Sequence, residues 1–540
     1  MCGYSPIAIA AALLFACALP ALAQTSAQTA ETPPLAMQIG TLLSDPKVEG
    51  SHWGISVTEL DGTPLYALND AQLFQPASNA KLFTTAAALG LFNPAQTFMT
   101  TVSSHGIFTN AAVLKGDIIL SGDGDANLSG RQIPYSLNTD EAAPPLRYLE
   151  AMAEQIAQSG LKTIDGDVVS IGDRYAHQPY AEGWNLDDLP WGYGAPVSML
   201  SVNDNQLKLV ITPGAEQREG ANLNVSPDIP YYTVEMGVTT GAEKSATEIN
   251  VERVPGSKLL FIYGSIPLHG APDVEHVSID DPTEFAAIAL KKLLQDHGVV
   301  VTGKAYANRI LTEADTDAQS FRKESREPLP NLKEAAHTQK IIAPPIHADS
   351  HDASYEKSTA LAQHESPTLL QDVVVTNKVS QNLHAELLLH HLGAVYANGA
   401  SFAQGARVVR QFAINAGVQP DDFYFVDGSG LSTYDLATPR AITQLLRFAV
   451  TQPWGSDYKS SLPVGGVDGT LENRFTKPPL KGNVFAKTGT HSEGNALSGY
   501  LVCASGKTVV FSILVGDHLP GTSADREAID KIVAAIAAAN

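Results

Sequence analysis

Cysteine and basic residues are scarce in this chain of 540 residues. Only Cys2, Cys17 and Cys503 occur. The first two lie in an N-terminal segment that we expect to be cleaved, so a mature chain cannot form an internal disulfide. Lys and Arg number 35 against 57 Asp and Glu, a formal net charge of −22. Surfaces that bind nucleic acids or anionic membranes are basic, so both kinds of partner are disfavoured.

Long apolar runs are absent after the N-terminus. No later stretch approaches the roughly 18 apolar residues of a membrane span, so there is no strong membrane signal. Residues 1–23 form an apolar segment ending in Ala21-Leu22-Ala23, which is typical of a secretory signal peptide and its cleavage site. As an alternative, Leu14 to Cys17 resembles an imperfect lipoprotein motif in which Cys17 would be acylated.

The length of the chain predicts two or more domains, because one compact core rarely grows this large. Strand-like runs at both ends, with helices between them, indicate one α/β domain made of residues 35–100 and 283–540. Its two N-terminal strands would join the C-terminal hairpin in one sheet. Between them, residues 101–282 alternate short β-rich runs with Gly and Asp turns and predict one or two inserted β-rich domains. Residues 312–362 are polar and charged, which predicts a mobile insertion.

A candidate nucleophile lies at the start of the first apolar helix. In Ser78-Asn79-Ala80-Lys81, positions i and i+3 share a helix face, so the Lys81 amine can meet the Ser78 hydroxyl. Burial in the apolar run that follows would lower the pKa of the lysine and allow it to act as a base. The S-x-x-K pattern alone is weak, since Ser320 to Lys323 and Ser456 to Lys459 also match it.

Two further motifs supply partners for such a pair. Ser380-Gln381-Asn382 precedes an amphipathic helix, whereas other S-x-N matches do not. Lys487-Thr488-Gly489 occurs once, in a loop between two predicted strands, and its lysine can offer a fixed positive charge to a carboxylate. Gly489 lets a substrate backbone approach, and Thr488 and Thr490 add hydroxyl donors. No G-x-S-x-G occurs, which excludes a conventional α/β-hydrolase.

S-x-x-K, S-x-N and K-T-G in this order resemble the active-site serine penicillin-recognising enzymes. Three further stretches, WNLDDLPWGYGAPVSMLSVNDN (184–205), DGSGLSTYDLATP (427–439) and LPVGGVDGTLENRF (462–475), resemble the class C low-molecular-mass penicillin-binding proteins. These are the S13 family of D-alanyl-D-alanine carboxypeptidases and endopeptidases. The resemblance covers roughly 35–310 and 365–540 and leaves the charged segment outside.

The resemblance implies an α/β, β-lactamase-like transpeptidase fold, with an antiparallel sheet flanked by helices and β-rich domains inserted after the S-x-x-K helix. It implies a periplasmic serine-type D-Ala-D-Ala carboxypeptidase that acts on peptidoglycan stem peptides. DD-endopeptidase action would use the same mechanism, and the residues named here do not decide between the two activities. β-Lactams would be covalent inhibitors, and neither metal nor organic cofactor would be needed.

By the same resemblance, Ser78 is the acylated nucleophile and Lys81 its general base. Ser380, with Asn382, relays a proton to the leaving nitrogen, and Lys487 supports that relay electrostatically. The backbone amides of Ser78 and Thr490 form the oxyanion hole. The substrate-binding set is Thr488, Gly489 and Thr490 for the terminal carboxylate, and Asp187 or Asp188 for the ammonium of a diamino-acid side chain.

The chain departs from the family pattern in one loop. The family commonly carries an arginine for the free carboxylate of that diamino acid where this chain has Thr433, and Asp435 stands where Asn is usual. We therefore expect the D-Ala-D-Ala chemistry without the usual side-chain preference. Two other functions remain as alternatives: a β-lactamase or esterase of the same superfamily, and a non-catalytic cell-wall-binding protein that keeps the fold.

Overall fold

A computed structural model describes residues 34–137, 142–172, 177–309, 322–329, 332, 359–397, 399–519 and 521–540. The α-helices of these residues are α1 Leu35–Leu43, α2 Lys81–Leu91, α3 Arg147–Gln158, α4 Pro282–Asp296, α5 Leu369–Lys378, α6 Asn382–Tyr396, α7 Phe402–Asn415, α8 Pro439–Val450, α9 Gly455–Ser461 and α10 Ala524–Ala539. The strands up to the S-x-N motif are β1 His52–Glu59, β2 Pro64–Leu68, β3 Met99–Asn110, β4 Val113–Gly122, β5 Thr163–Asp165, β6 Val168–Ile171, β7 Gln206–Thr212, β8 Asn222–Ser226, β9 Thr233–Gly241, β10 Glu248–Glu252, β11 Leu259–Pro267, β12 Asp273–Ser278, β13 Val300–Val301, β14 Ala305–Ala307 and β15 Thr359–Glu365. Those after it are β16 Phe423–Tyr424, β17 Leu436–Ala437, β18 Val484–His491, β19 Gly494–Val502 and β20 Thr508–Gly516.

The two ends of the chain meet in one antiparallel five-stranded sheet, in the order β18-β19-β20-β1-β2. Strand β1 pairs with β20 over its whole length, with Ile55 opposite Ile513. This confirms the expectation that the N-terminal strands join the C-terminal hairpin. It also corrects the expectation that K-T-G lies in a loop between two strands, because the motif lies within β18, at the edge of the sheet, and the turn to β19 comes only after His491.

The sheet is covered on both faces. On β20, Phe511 and Ile513 pack in one core with α1 and α10. Val510 and Leu514 face the opposite side, where they share a core with helices α2, α6, α7 and α8. Strands buried on both faces read as continuous apolar runs, and the TVVFSILVG run of β20 shows this pattern. Helix α2 is completely buried at the centre of the larger core, so the S-x-x-K motif at its start is held rigidly.

The inserted region has its own core and its own sheets. A seven-stranded sheet runs β13-β5-β4-β3-β15 with β6 and β14 attached, and two three-stranded sheets, β10-β11-β9 and β12-β7-β8, pack nearby. We expected the insertion to end at residue 282, and this boundary needs correction. Helix α4 contributes Phe285 and Leu290 to the inserted core, and β13 and β14 join its large sheet, because the apolar face of α4 covers that sheet.

The charged segment 312–362 lies mostly outside the described residues, and so does the predicted signal peptide with Cys17. Two described parts of the segment are ordered against the rest. Residues 359–362 belong to β15, which pairs with β3, and residues 322–329 dock on α7, where Arg407 donates to the carbonyl oxygens of Glu327 and Pro328 at 2.9 Å each. Among the described helices, none is long and apolar enough to cross a membrane.

Candidate active site

Ser78 and Lys81 face each other at the start of α2, as the sequence predicts. Ser78 lies in a short 3-10 turn, Ala77–Ala80, that leads into the helix. Lys81 is completely buried, and its Nζ lies 2.9 Å from Ser78 Oγ, 2.6 Å from Asn382 Oδ1 and 2.8 Å from the Ser429 carbonyl oxygen. A neutral amine has two N–H bonds and one lone pair. With the N–H bonds donated to the two acceptors, the lone pair points at the Ser78 hydroxyl.

The electrostatic surroundings of Lys81 suit a base. Burial lowers the pKa of Lys81 to about 8, although the nearby carboxyl groups of Asp427 and Glu386 raise it. At a pKa of about 8, roughly one lysine in ten is neutral at pH 7, which is enough for general-base catalysis. The acids thus keep a fully buried lysine from losing its proton altogether.

Asp427 and Glu386 form, together with Asp435, a buried carboxyl cluster beneath Lys81. Asp427 accepts hydrogen bonds from the backbone N–H groups of Gly430 and Ser432, at 2.6 and 2.7 Å. Burial and the charge of Asp427 raise the pKa of Glu386 and raise that of Asp435 well above its usual value. Asp435 is therefore held protonated. A protonated Asp is neutral like the Asn usual at this position, so the departure noted in the sequence changes little in local charge.

A second serine–lysine pair lies across the cleft. Lys487 Nζ donates to Ser380 Oγ at 2.7 Å and to the Thr488 carbonyl oxygen at 3.0 Å. Because the serine oxygen accepts from the lysine, its own hydrogen is available for another acceptor. Burial and the positive charge of Lys81 hold the pKa of Lys487 well below its ordinary value. The sequence predicted a fixed positive charge here, but burial makes that charge depend on what occupies the cleft.

The turn that carries Ser380 is anchored by the inserted region. Ser380 has a left-handed backbone, with φ of 64°, and the neighbouring Gln381 donates to Asp204 Oδ2 at 3.0 Å. Asp204 is buried with Arg131 and His384. Burial would raise the pKa of Asp204, but Arg131 and His384 hold it below its usual value. Buried charges that compensate each other fix a geometry when all partners are present.

Asn382 connects the lysine to a second part of the inserted region. It accepts from Lys81 and donates from Nδ2 to the Tyr193 carbonyl oxygen at 2.8 Å. The Tyr193 hydroxyl in turn donates to Asp188 Oδ1 at 3.1 Å. Asp188 is thus connected to Asn382 through one intervening residue, Tyr193. Asp187 is exposed, and its charge helps to raise the pKa of Tyr193.

The K-T-G strand approaches the Ser78 turn so closely that only glycine fits. A Cβ on Gly489 would lie 2.9 Å from the Pro76 carbonyl oxygen and 3.0 Å from Ala77 Cβ. Next to it, Thr488 Oγ1 donates to Thr470 Oγ1 at 2.8 Å. Thr490 follows Gly489 on β18 and is exposed. The close approach explains Gly489 by packing against the nucleophile turn, in addition to the access for substrate that the sequence suggested.

The loop within residues 427–439, which departs from the family pattern at Thr433 and Asp435, lies beside the Ser78 turn. Gln75 donates from its side chain to the Thr433 carbonyl oxygen at 2.9 Å, and Thr433 Oγ1 donates to the Gly183 carbonyl oxygen at 3.1 Å. The guanidinium carbon of Arg322, in the charged segment, lies 5.2 Å from the centre of the Tyr434 ring. An arginine therefore reaches this loop from a distant part of the sequence.

The structure brings eight of the ten predicted site residues into one cleft and connects a ninth, Asp188, through Tyr193. Sequence reasoning missed Glu386, Asp427 and the carbonyl oxygen of Ser429 as direct surroundings of Lys81. Asp427 and Ser429 lie in the DGSGLS stretch, which was noticed only as a resemblance. Glu386 had one available sign, because it is the single carboxylate of a helix that is mostly apolar apart from Asn382 and three histidines.

The fold and the two buried serine–lysine pairs define a serine hydrolase of the penicillin-recognising class. Within that class, the chain belongs to the D-Ala-D-Ala carboxypeptidase 3 (S13) family, whose model matches residues 35–333 and 346–539. The family match extends into both ends of the charged segment, which we had placed outside the resemblance. That part of the expectation is wrong.

Known relatives match along most of the chain. A D-alanyl-D-alanine carboxypeptidase of Actinomadura sp. (strain R39) is 29% identical over 513 residues, 93% of this chain and 84% of that protein. The D-alanyl-D-alanine carboxypeptidase DacB of Haemophilus influenzae is 23% identical, over 88% of this chain and 87% of that protein. The crystal structure of penicillin binding protein 4 from Haemophilus influenzae superposes with a TM-score of 0.71 at 21% identity, over 92% of this chain and 97% of that one. This similarity confirms the fold class.

Proposed function

We propose that this chain is a serine-type D-Ala-D-Ala carboxypeptidase that also cleaves D-Ala cross-links as a DD-endopeptidase. Its substrates would be peptidoglycan stem peptides in the periplasm, and β-lactams would acylate it. The observation that carries the proposal is the arrangement of Lys81, fully buried with Nζ 2.9 Å from Ser78 Oγ and with two other acceptors for its hydrogens.

Acylation begins when Ser78 Oγ attacks the carbonyl carbon of the penultimate D-alanine. Neutral Lys81 takes the hydroxyl proton as the oxygen–carbon bond forms. The backbone amides of Ser78 and Thr490 are assigned to the oxyanion, on the support of the close approach of β18 to the Ser78 turn. Lys487, Thr488 and Thr490 bind the terminal carboxylate, whose negative charge favours a protonated Lys487.

The leaving nitrogen takes a proton as the carbon–nitrogen bond breaks. Ser380 can supply it because its oxygen accepts from Lys487 and its hydrogen is available. The proton taken by Lys81 replaces the one that Ser380 gives up. Water then attacks the acyl-enzyme, with Lys81 again as base, and releases the shortened peptide. Carboxypeptidase and endopeptidase action differ only in what is attached to the leaving nitrogen.

The alternatives are weaker on specific grounds. A β-lactamase or an esterase of this superfamily needs neither the inserted sheets nor the DGSGLS loop, which here supplies a carbonyl oxygen to Lys81. A non-catalytic wall-binding protein has no need for a buried lysine directed at a serine hydroxyl, since burying an amine is unfavourable without a use for it.

The test is to incubate the purified protein with benzylpenicillin and to map any covalent adduct by intact mass and peptide mapping. We expect a long-lived acyl group on Ser78 and release of D-alanine from a pentapeptide substrate. Ser78→Ala should abolish both, and Ser456→Ala, in the unrelated S-x-x-K match, should change neither. Rapid drug turnover without an adduct would favour a β-lactamase, and no reaction would favour the binding protein.

A further inference from the structure

One face of a small sheet in the inserted region is polar and turned towards the catalytic cleft. Strand β7 alternates strictly, with Leu207, Leu209 and Ile211 buried and the residues between them half-buried. Directly opposite residues of antiparallel strands point to the same face. Lys208 pairs with His276 on β12 and with Ser226 on β8. The register also puts Val274 opposite Val210 and Asn224 next to it on this face. We call the part of this face that lines the cavity the polar sheet face: Gln206, Lys208, Val210, Asn224, Ser226 and His276.

This polar sheet face is one wall of a cavity of about 1040 Å³, and the S-x-N turn is another. Ser380, Gln381 and Asn382 line the cavity on the catalytic side, together with Thr470 next to the K-T-G strand. Cavities for drug-sized ligands span about 300–1,000 Å³. The volume is thus far larger than a departing D-alanine requires.

We propose that the polar sheet face binds the peptide branch that departs with the scissile nitrogen when a cross-link is cleaved. This proposal rests on the proposed function, because it assigns Ser380 as the proton donor to that nitrogen. The leaving group that takes its proton from Ser380 departs into the cavity that Ser380 lines. The branch is a peptide with free carboxylates, and Lys208 supplies a cation in a protein whose net charge is −22.

The inference predicts that this face separates the two activities. Release of D-alanine needs only the catalytic cleft, whereas cleavage of a cross-link also needs room and charge complementarity along the sheet. Amide and hydroxyl groups of Gln206, Asn224 and Ser226 can hydrogen-bond a peptide backbone without selecting a sequence. The endopeptidase activity should therefore depend on residues of the inserted region that have no part in acylation.

The experiment compares two substrates on the full-length protein: a monomeric pentapeptide and a purified cross-linked peptide dimer. Lys208→Glu should lower kcat/KM for the dimer by about tenfold or more, which corresponds to a tenfold weaker affinity for the dimer. It should change the rate of D-alanine release from the pentapeptide by less than about twofold. The matched control is Lys244→Glu, which reverses an exposed lysine in the turn between β9 and β10 and should affect neither substrate. Asn224→Trp, which fills the cavity from an exposed position, should reproduce the selective loss.

Parallel loss on both substrates in both variants, or no loss on either, would overturn the proposal. If the unmodified protein releases D-alanine from the pentapeptide but leaves the dimer intact, the assignment of the polar sheet face fails and the carboxypeptidase function stands. If the unmodified protein acts on neither substrate and forms no penicillin adduct, the proposed function itself fails.

Discussion

The two serine–lysine pairs of the cleft have nearly the same geometry and opposite electrostatic surroundings. Both lysines are fully buried and reach a serine oxygen, at 2.9 Å for Lys81 and 2.7 Å for Lys487. Lys81 has the buried carboxyl cluster beneath it, and its pKa is about 8. The pKa of Lys487 is lowered by burial and by Lys81 itself.

This difference shows how one pair of side chains can be adapted to two tasks. The carboxyl cluster holds Lys81 near the working pH, where an amine is most useful as a base. Lys487 awaits an anion from outside, since a substrate carboxylate would restore the counter-charge that its surroundings lack. The protein itself thus sets the pKa of Lys81, whereas Lys487 gains its counter-charge from the substrate.

Replacing Lys81 should have the largest effect. Lys81→Gln leaves Ser78 without a base, so the rate of acylation by benzylpenicillin should fall by about 10²–10⁴-fold, the usual contribution of a general base. The measurement is the second-order rate of adduct formation by intact mass. Lys459→Gln, in the unrelated S-x-x-K match, should leave that rate unchanged. A loss of less than tenfold in Lys81→Gln would contradict the assignment of Lys81 as the base in acylation.

Replacing the second lysine should weaken recognition of the carboxylate. Lys487→Gln removes one charge-assisted contact, worth about 1.5–3 kcal/mol, so kcat/KM for a pentapeptide should fall by roughly 10–100-fold. The same variant should lose much less on a peptide whose terminal carboxylate is amidated. Equal losses on the two peptides would mean that Lys487 serves only the proton relay.

The third prediction concerns pH. Because neutral Lys81 is the active form, kcat/KM should rise about tenfold between pH 6 and 7 and level off above about 8. A flat profile over this range would contradict the assignment of Lys81 as base. The profile is best measured up to pH 8.5, with thermal unfolding as a control.

The upper limit of pH 8.5 follows from His384. Burial lowers the pKa of this histidine, but Asp372 and Asp204 more than offset that effect and raise the pKa from 6.5 to about 9. The contribution of His384 to stability is therefore complete below pH 6.5 and is lost as pH rises through about 9.

Much of this site could be predicted from the sequence, because motifs fix residues that are close in the chain. Ser78 and Lys81 are three positions apart on one helix, and K-T-G lies on one strand. The surroundings of Lys81 could not be predicted. Glu386 and Asp427 reach it only through packing of α6 and of the loop before β17, and no local pattern records that contact. The boundary at residue 282 failed for the same reason, since the periodicity of α4 does not say which sheet it covers.

A fourth prediction tests whether the carboxyl cluster carries a proton. Asp435 is held protonated, and the unfolded chain would ionise it above a pKa near 3.8, so its burial opposes folding at neutral pH. Asp435→Asn should therefore raise the free energy of unfolding at pH 7, because a neutral amide has no ionisation to lose on folding. It should leave the pH profile of kcat/KM in place.

The control for this prediction is an aspartate with the opposite role. Asp468 accepts hydrogen bonds from Lys378 at 2.7 and 2.8 Å, so Asp468→Asn removes the charge partner of a buried lysine and should destabilise the protein. Denaturant unfolding at pH 7 measures both changes. If Asp435→Asn also destabilises, the carboxylate is ionised in the folded protein and the carboxyl cluster has one more negative charge beneath Lys81.

The smallest effect is expected at Thr433, in the loop beside the Ser78 turn. Thr433→Arg would add a cation at the position where related enzymes commonly have one, and an exposed ion pair is worth up to about 1 kcal/mol. For substrates ending in a free diaminopimelate group, kcat/KM should therefore rise about two- to fivefold. Thr433→Gln, similar in length and uncharged, should not reproduce the gain. If Thr433→Arg gives none, the cation already packed against this loop, Arg322 stacked on Tyr434, becomes the candidate for that contact, and Arg322→Gln should then lower kcat/KM on the same substrates by a similar factor.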